Sequence, residues 1–128
     1  MSLTEEYAER FPAIPFVRWH GSILASPVGI GTYRMHLHDP EHHAALERAL
    51  TSGINVVDTA ATYSDGSAEE LIGQVIASVA KHKGFSREHF VIVSKAGYIQ
   101  GRNLNRALKR EHQGHVFPQV VKYEEGLW

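Results

Sequence analysis

Residues 54–63, Ile54-Asn55-Val56-Val57-Asp58-Thr59-Ala60-Ala61-Thr62-Tyr63, run from an apolar stretch into a polar loop, and Phe90-Val91-Ile92-Val93-Ser94-Lys95 repeats the pattern. Near-continuous apolar runs of this length, Ile54–Val57 and Phe90–Ser94, suit strands of a parallel sheet covered on both faces. Two such strands lying side by side deliver Asp58, Tyr63 and Lys95 to the same end of the sheet. A phenol beside an ammonium, with a carboxylate to hold the ammonium, is a recognisable way to build a proton donor.

The segments around these strands read as helices. Ser67-Ala68-Glu69-Glu70 predicts a capping box, with the serine at N-cap and a glutamate at the third helical position. Leu71, Ile72, Val75, Ile76 and Val79 then give a wide core-facing stripe. Lys81 and Lys83 sit where the helix dipole favours cations, and Gly84 closes the helix. Upstream, Asp39-Pro40 predicts another helix start. Ala45, Leu46, Ala49 and Leu50 form its stripe, and Gly53 ends it. Val28-Gly29-Ile30-Gly31-Thr32-Tyr33 reads as a further strand whose glycines permit close backbone approach. Val17 to Ile23, around His20-Gly21-Ser22, predicts a short hairpin. Residues 1–16 read as a loosely held arm, with Pro12 and Pro15 opposing regular structure. A last helix is expected from Asn103 to His112 through Leu104, Ala107 and Leu108, stopped by Gly114. Its Arg102, Arg106, Lys109 and Arg110 read as a solvated basic face.

Strands alternating with helices imply an α/β fold with a parallel sheet, about three strands with two or three helices. Ligands in such sheets bind at the carboxyl ends of the strands. Asp58, Tyr63, Lys95 and Thr32 all fall there.

Composition sets the outer bounds. The chain has 128 residues, 43% hydrophobic and 21% charged, enough for one domain with a real core. A formal net charge of −1 gives no electrostatic reason to expect nucleic acid or an anionic membrane. Zero cysteines exclude disulfides and thiolate metal sites. The acidic start, Met1-Ser2-Leu3-Thr4-Glu5-Glu6, lacks the apolar core of a signal peptide, and no apolar run reaches the roughly 20 residues of a membrane span. A cytoplasmic location is expected.

The ordered motifs Gly29-Ile30-Gly31-Thr32-Tyr33, Gly53-Ile54-Asn55-Val56-Val57-Asp58-Thr59-Ala60, Tyr63, Ser67-Ala68-Glu69-Glu70-Leu71-Ile72-Gly73 and Val93-Ser94-Lys95 resemble the aldo-keto reductases, from roughly Val17 to Tyr98. The resemblance implies the N-terminal portion of a (β/α)8 TIM barrel, preceded by the hairpin. It implies NADP-dependent oxidoreductase chemistry on a small carbonyl, alcohol or sugar. It makes Asp58, Tyr63 and Lys95 three members of a catalytic tetrad. Thr32 and Asp58 then lie near the nicotinamide end of the cofactor, and Tyr33 and Tyr98 are candidate walls of the substrate pocket.

The chemistry stands without the family. Carbonyl reduction needs a proton for the developing alkoxide, and free tyrosine, with a pKa near ~10, is a weak donor at neutrality. A cationic lysine within a few ångströms favours the phenolate. Asp58 keeps Lys95 charged in a partly desolvated site and fixes its direction. The bland alternative is a structural ion pair beside a loop aromatic; the ordered combination with glycines and capping box favours the catalytic origin.

A complete barrel of this type takes about 250 residues. Residues 17–113 are therefore expected to form an incomplete barrel domain, and residues 114–128 a tail or interrupted continuation. The resemblance implies a fourth tetrad member, a histidine at the carboxyl end of the next strand. His112 and His115 are the available candidates. His115 precedes Val116-Phe117-Pro118-Gln119-Val120-Val121, which is the wrong end, and Pro118 opposes a central strand. The catalytic histidine is therefore expected to be absent from this chain. The cofactor's adenine and 2′-phosphate sites are implied to lie in a C-terminal half. Such a piece is expected to be inactive alone, to expose the Phe90–Val93 edge and to aggregate or pair, for instance with a C-terminal barrel half.

Two rival classes remain. One is a non-catalytic assembly partner. The other is a metal-binding module, since His36-Leu37-His38-Asp39-Pro40-Glu41-His42-His43 crowds imidazoles and carboxylates together. Against the second, Asp39 and Glu41 are explained by the helix start and no zinc-like spacing follows, so no metal site is assigned.

Overall fold

The computed structural model describes residues 1–128. In chain order it contains α1 (Leu3–Glu9), β1 (Val17–Arg18), β2 (Leu24–Ala25), β3 (Gly29–Gly31), α2 (Pro40–Leu50), β4 (Val56–Asp58), α3 (Ser67–Lys83), β5 (Val91–Val93) and α4 (Gly101–His112). Short 3-10 turns occupy Tyr63–Gly66 and Arg87–His89.

β3, β4 and β5 form a parallel sheet in sequence order, joined through α2 and α3. The register puts Gly31, Asp58 and Val93 at one level. Main-chain bonds extend it past the strand ends, from Thr32 N to Asp58 O (3.0 Å) and from Thr59 N to Val93 O (2.8 Å). The α/β expectation holds: these are consecutive β/α units with a parallel sheet, and the three-stranded sheet does not close. The hairpin also forms, with Val17 opposite Ala25. Asn55 fastens it to the sheet, because its buried side chain accepts from Ser26 N at 2.8 Å and donates to Leu24 O at 2.9 Å.

The core lies between one face of the sheet and the helices. Leu46 and Leu50 of α2 meet Leu71, Ile72, Val75, Ile76 and Val79 of α3 over Val57 and Phe90. Asp39 caps α2 as its side chain accepts from Glu41 N and His42 N, with Pro40 in the first turn. Ala45, expected on the buried stripe, is exposed. The strands are covered on one face only: Val57 is fully buried, whereas Val56 and Asp58 are half-buried, since no layer packs on the inner side. The expected open edge is present along β5, which has no outer strand neighbour, while the Phe90 side chain just before it is in the core.

Two other expectations are corrected. The N-terminal arm is not loose. Ser2 and Glu5 form a reciprocal capping box, α1 follows, and Tyr7 is fully buried with its hydroxyl donating to Leu50 O at 2.7 Å. Pro12 and Pro15 act only beyond the helix. The capping box assigned to Ser67 does not form: Gly66 is the N-cap, and the Ser67 hydroxyl accepts from Leu37 N at 2.7 Å, tying the β3–α2 loop to α3. The segment 114–128 folds back on the residues before and within α4. Ile99 and Trp128 exchange main-chain bonds of 2.7 and 3.0 Å, and Lys122 pairs with Glu111.

Candidate active site

The register decides what meets at the carboxyl ends of the strands. Asp58 ends β4, and Lys95 lies just past β5, so the two side chains converge across neighbouring parallel strands. Lys95 Nζ donates to Asp58 Oδ1 and Oδ2, both at 2.8 Å, and to the Thr59 carbonyl at 2.8 Å. It also donates to the Tyr63 hydroxyl at 3.0 Å and sits 4.6 Å from the centre of that ring. Lys95 therefore contacts both residues predicted to act with it, Asp58 and Tyr63. The hydrogen bonds to Asp58, then to Tyr63, raise the Lys95 pKa above its ordinary value, so the ammonium form is held.

The site is more open than expected. The side chains of Lys95 and Asp58 are 49% and 46% exposed, where a partly desolvated pair was anticipated. The cause is the uncovered inner face of the sheet.

Thr32 is fully buried, and both its amide and its hydroxyl donate to the Asp58 carbonyl at 3.0 Å. Its evident work is to fix the end of β4. Tyr33 packs edge-on against Tyr63, with ring centres 5.2 Å apart at 84°. It borders an open polar groove of about 760 Å³ shared with Arg34, Tyr63, Ser64, Asp65 and Gln100. Tyr98 borders a smaller recess of about 350 Å³ with Tyr63, Lys95 and Gly97. Both tyrosines are largely exposed and available to a ligand.

Three groups escaped the sequence reading. The Thr59 carbonyl is a main-chain acceptor with no side-chain signal. Ser94 donates to Glu69 at 2.8 Å, linking the end of β5 to α3. Arg102, read as part of a solvated face, bonds Glu70 at 2.9 Å while its main-chain N–H donates to Asp65 at 2.8 Å. The nearby glycines, Gly66 and Gly101, were the only available hint.

The histidines do not assemble. His42 Nδ1 accepts from the His36 amide at 3.0 Å, and His43 faces Glu47 at 3.9 Å. No group of three His, Cys, Asp or Glu side chains converges as a metal site. His112 bonds Leu108 O at the end of α4, and His115 packs on Phe117.

The profile of the aldo/keto reductase family matches residues 27–120, and the chain belongs to that family. A Schizosaccharomyces pombe protein named "Putative voltage-gated potassium channel subunit beta" is 36% identical over 84 residues, a match covering 63% of this chain and 23% of that protein. A solved Klebsiella pneumoniae aldo/keto reductase in complex with NADP and acetate shares 28% identity with a TM-score of 0.46, covering 77% of this chain and 34% of that one. A second Klebsiella pneumoniae structure, in complex with NADPH, gives 26% and 0.47, covering 78% and 34%. The chain thus spans about a quarter to a third of the length of these relatives.

Proposed function

We propose that this chain supplies the proton-donor side of an NADP(H)-dependent reductase of carbonyl compounds, or dehydrogenase of alcohols and sugars. The observation that carries the reading is the contact of one ammonium, Lys95, with both Asp58 carboxylate oxygens and the Tyr63 phenol. Tyr63 gives its proton to the developing alkoxide. Lys95, 3.0 Å away, stabilises the charge left on the phenol oxygen. Asp58 grips Lys95 with two charge-assisted hydrogen bonds and so aims it. In the reverse direction the same groups accept the proton of an alcohol.

The family implies a nicotinamide cofactor, which supplies the hydride when bound. The residues fit its nicotinamide end in part. The half-exposed Asp58 carboxylate and the open strand ends offer room, whereas the Thr32 hydroxyl is committed to the Asp58 carbonyl and acts through it. Tyr33 and Tyr98 are proposed to border the substrate, a small carbonyl compound, alcohol or sugar. A C-terminal barrel half is the proposed protein partner, and the cytoplasm the proposed setting. No helix is long and apolar enough to cross a membrane.

The test joins these 128 residues to the remaining strands of a family barrel and follows NADPH-dependent reduction of simple aldehydes. Tyr63→Phe should lower turnover at least ~10²-fold; undiminished turnover overturns the assignment.

One observation favours a second reading. β5 has no outer neighbour, and the groove between it and α3, lined by Ile72, Ile76 and Ile92, is apolar. A non-catalytic role in an assembly would use that edge and leave Tyr63→Phe without effect on assembly.

A further inference from the structure

The turn that carries Tyr63 is strained, and the start of α4 holds it. Directly after the phenol, Ser64 and Asp65 both adopt left-handed backbone, with φ of 47° and 54°, and Gly66 follows at 90°. Successive non-glycine residues in that region are uncommon and persist only where their surroundings over-determine them.

Here the surroundings are specific. Asp65 Oδ1 accepts the Arg102 main-chain N–H at 2.8 Å. The Arg102 guanidinium lies over Gly66, where any Cβ would collide with Nη2, and reaches Glu70 in the first turn of α3 at 2.9 Å. Gly101, itself at φ 53°, leaves the space that the Asp65 carboxylate fills; a Cβ there would strike it. Arg102 Nε is buried without a hydrogen-bond partner, a penalty a freely solvated arginine would not carry. Tyr63, Ser64, Asp65 and Gly101 also border the same polar groove.

The geometry points to Asp65 and Arg102 as positioning residues: they latch the left-handed turn to α4 and so fix the direction of the Tyr63 phenol toward Lys95. Neither touches the reacting atoms. The catalytic meaning of the latch rests on the proton-donor reading, but its geometric content does not.

The experiment uses the 128-residue chain with tyrosines labelled with ¹³C at the ζ carbon and lysines with ¹⁵N. Tyr63 is assigned by Tyr63→Phe, and Tyr7 serves as a core control. Asp65→Ala should move the Tyr63 ¹³Cζ and Lys95 ¹⁵Nζ resonances while that of Tyr7 stays in place. Asp65→Asn, which keeps an acceptor and tolerates left-handed backbone, should restore both. Unmoved Tyr63 and Lys95 signals in Asp65→Ala overturn the proposal, as does an asparagine variant indistinguishable from alanine. Should Asp65→Ala unfold the chain, Glu70→Ala on its half-exposed face decides: a displaced Tyr63 signal supports the latch, and an unchanged one overturns it. Because no turnover is read, this result and that of Tyr63→Phe in the fused barrel are independent.

Discussion

At Lys95 a single cation serves a carboxylate, a carbonyl and a phenol, and its exposure decides what that is worth. An ion pair this open contributes little to stability, so the arrangement matters for direction. Its pH dependence has a definite sign. Because the folded-state pKa of Lys95 is raised above 10.5, chiefly by the hydrogen bond to Asp58, the contribution is complete below that value and is lost as pH rises through the higher folded value. Asp58→Asn should therefore bring the Lys95 ¹⁵Nζ titration midpoint down; a midpoint that stays where it was would refute the attribution. Asp58, Tyr63 and Lys95 were legible in the sequence because each follows an apolar run that announces its strand. Asp65 and Arg102 were not, since their bond joins positions 37 apart through a main-chain donor.

Among the elements, α1 shows how a missed cap changes a reading. Ser2 and Glu5 carry the capping signal, yet the prolines downstream dominated the expectation. Once the helix forms, Tyr7 is delivered into the core, where its ring meets Phe11, Phe16, Phe85 and Phe90. Burial pushes the Tyr7 pKa well above its ordinary value. The folded state therefore holds that proton longer than the unfolded chain, and stability falls as pH rises past about 10. Tyr7→Phe strands the buried Leu50 carbonyl and should cost about 1–3 kcal/mol in urea unfolding. It should also blunt the alkaline decline; wild-type stability in this variant would show that the bond contributes nothing. The capping box read at Ser67 failed for a different reason. Its hydroxyl meets Leu37, a long-range partner that a local motif cannot reveal.

For the whole molecule, the consequence is an open wall. A three-stranded parallel sheet has two free edges, and its inner face bears the candidate site without a covering layer. Free edges and apolar grooves promote association. Light scattering behind size-exclusion chromatography should show the chain associating as concentration rises in the micromolar range; a constant monomer mass would contradict this. The same openness leaves the cofactor few contacts. Titration with NADPH, followed by nicotinamide fluorescence, should not saturate at micromolar concentrations, and saturable 1:1 binding would sink that expectation.

By itself the sequence determined the order of strands and helices, the family, and the three residue types suited to proton donation. These follow from apolar periodicity, Asp39-Pro40 capping and polar groups placed after strands, all of which are local. Only the tertiary structure decided that Thr32 props the end of β4, that α1 anchors in the core, and that Arg102 latches the Tyr63 turn. Each depends on groups distant in sequence meeting at a few ångströms, and a one-dimensional pattern carries no record of such meetings.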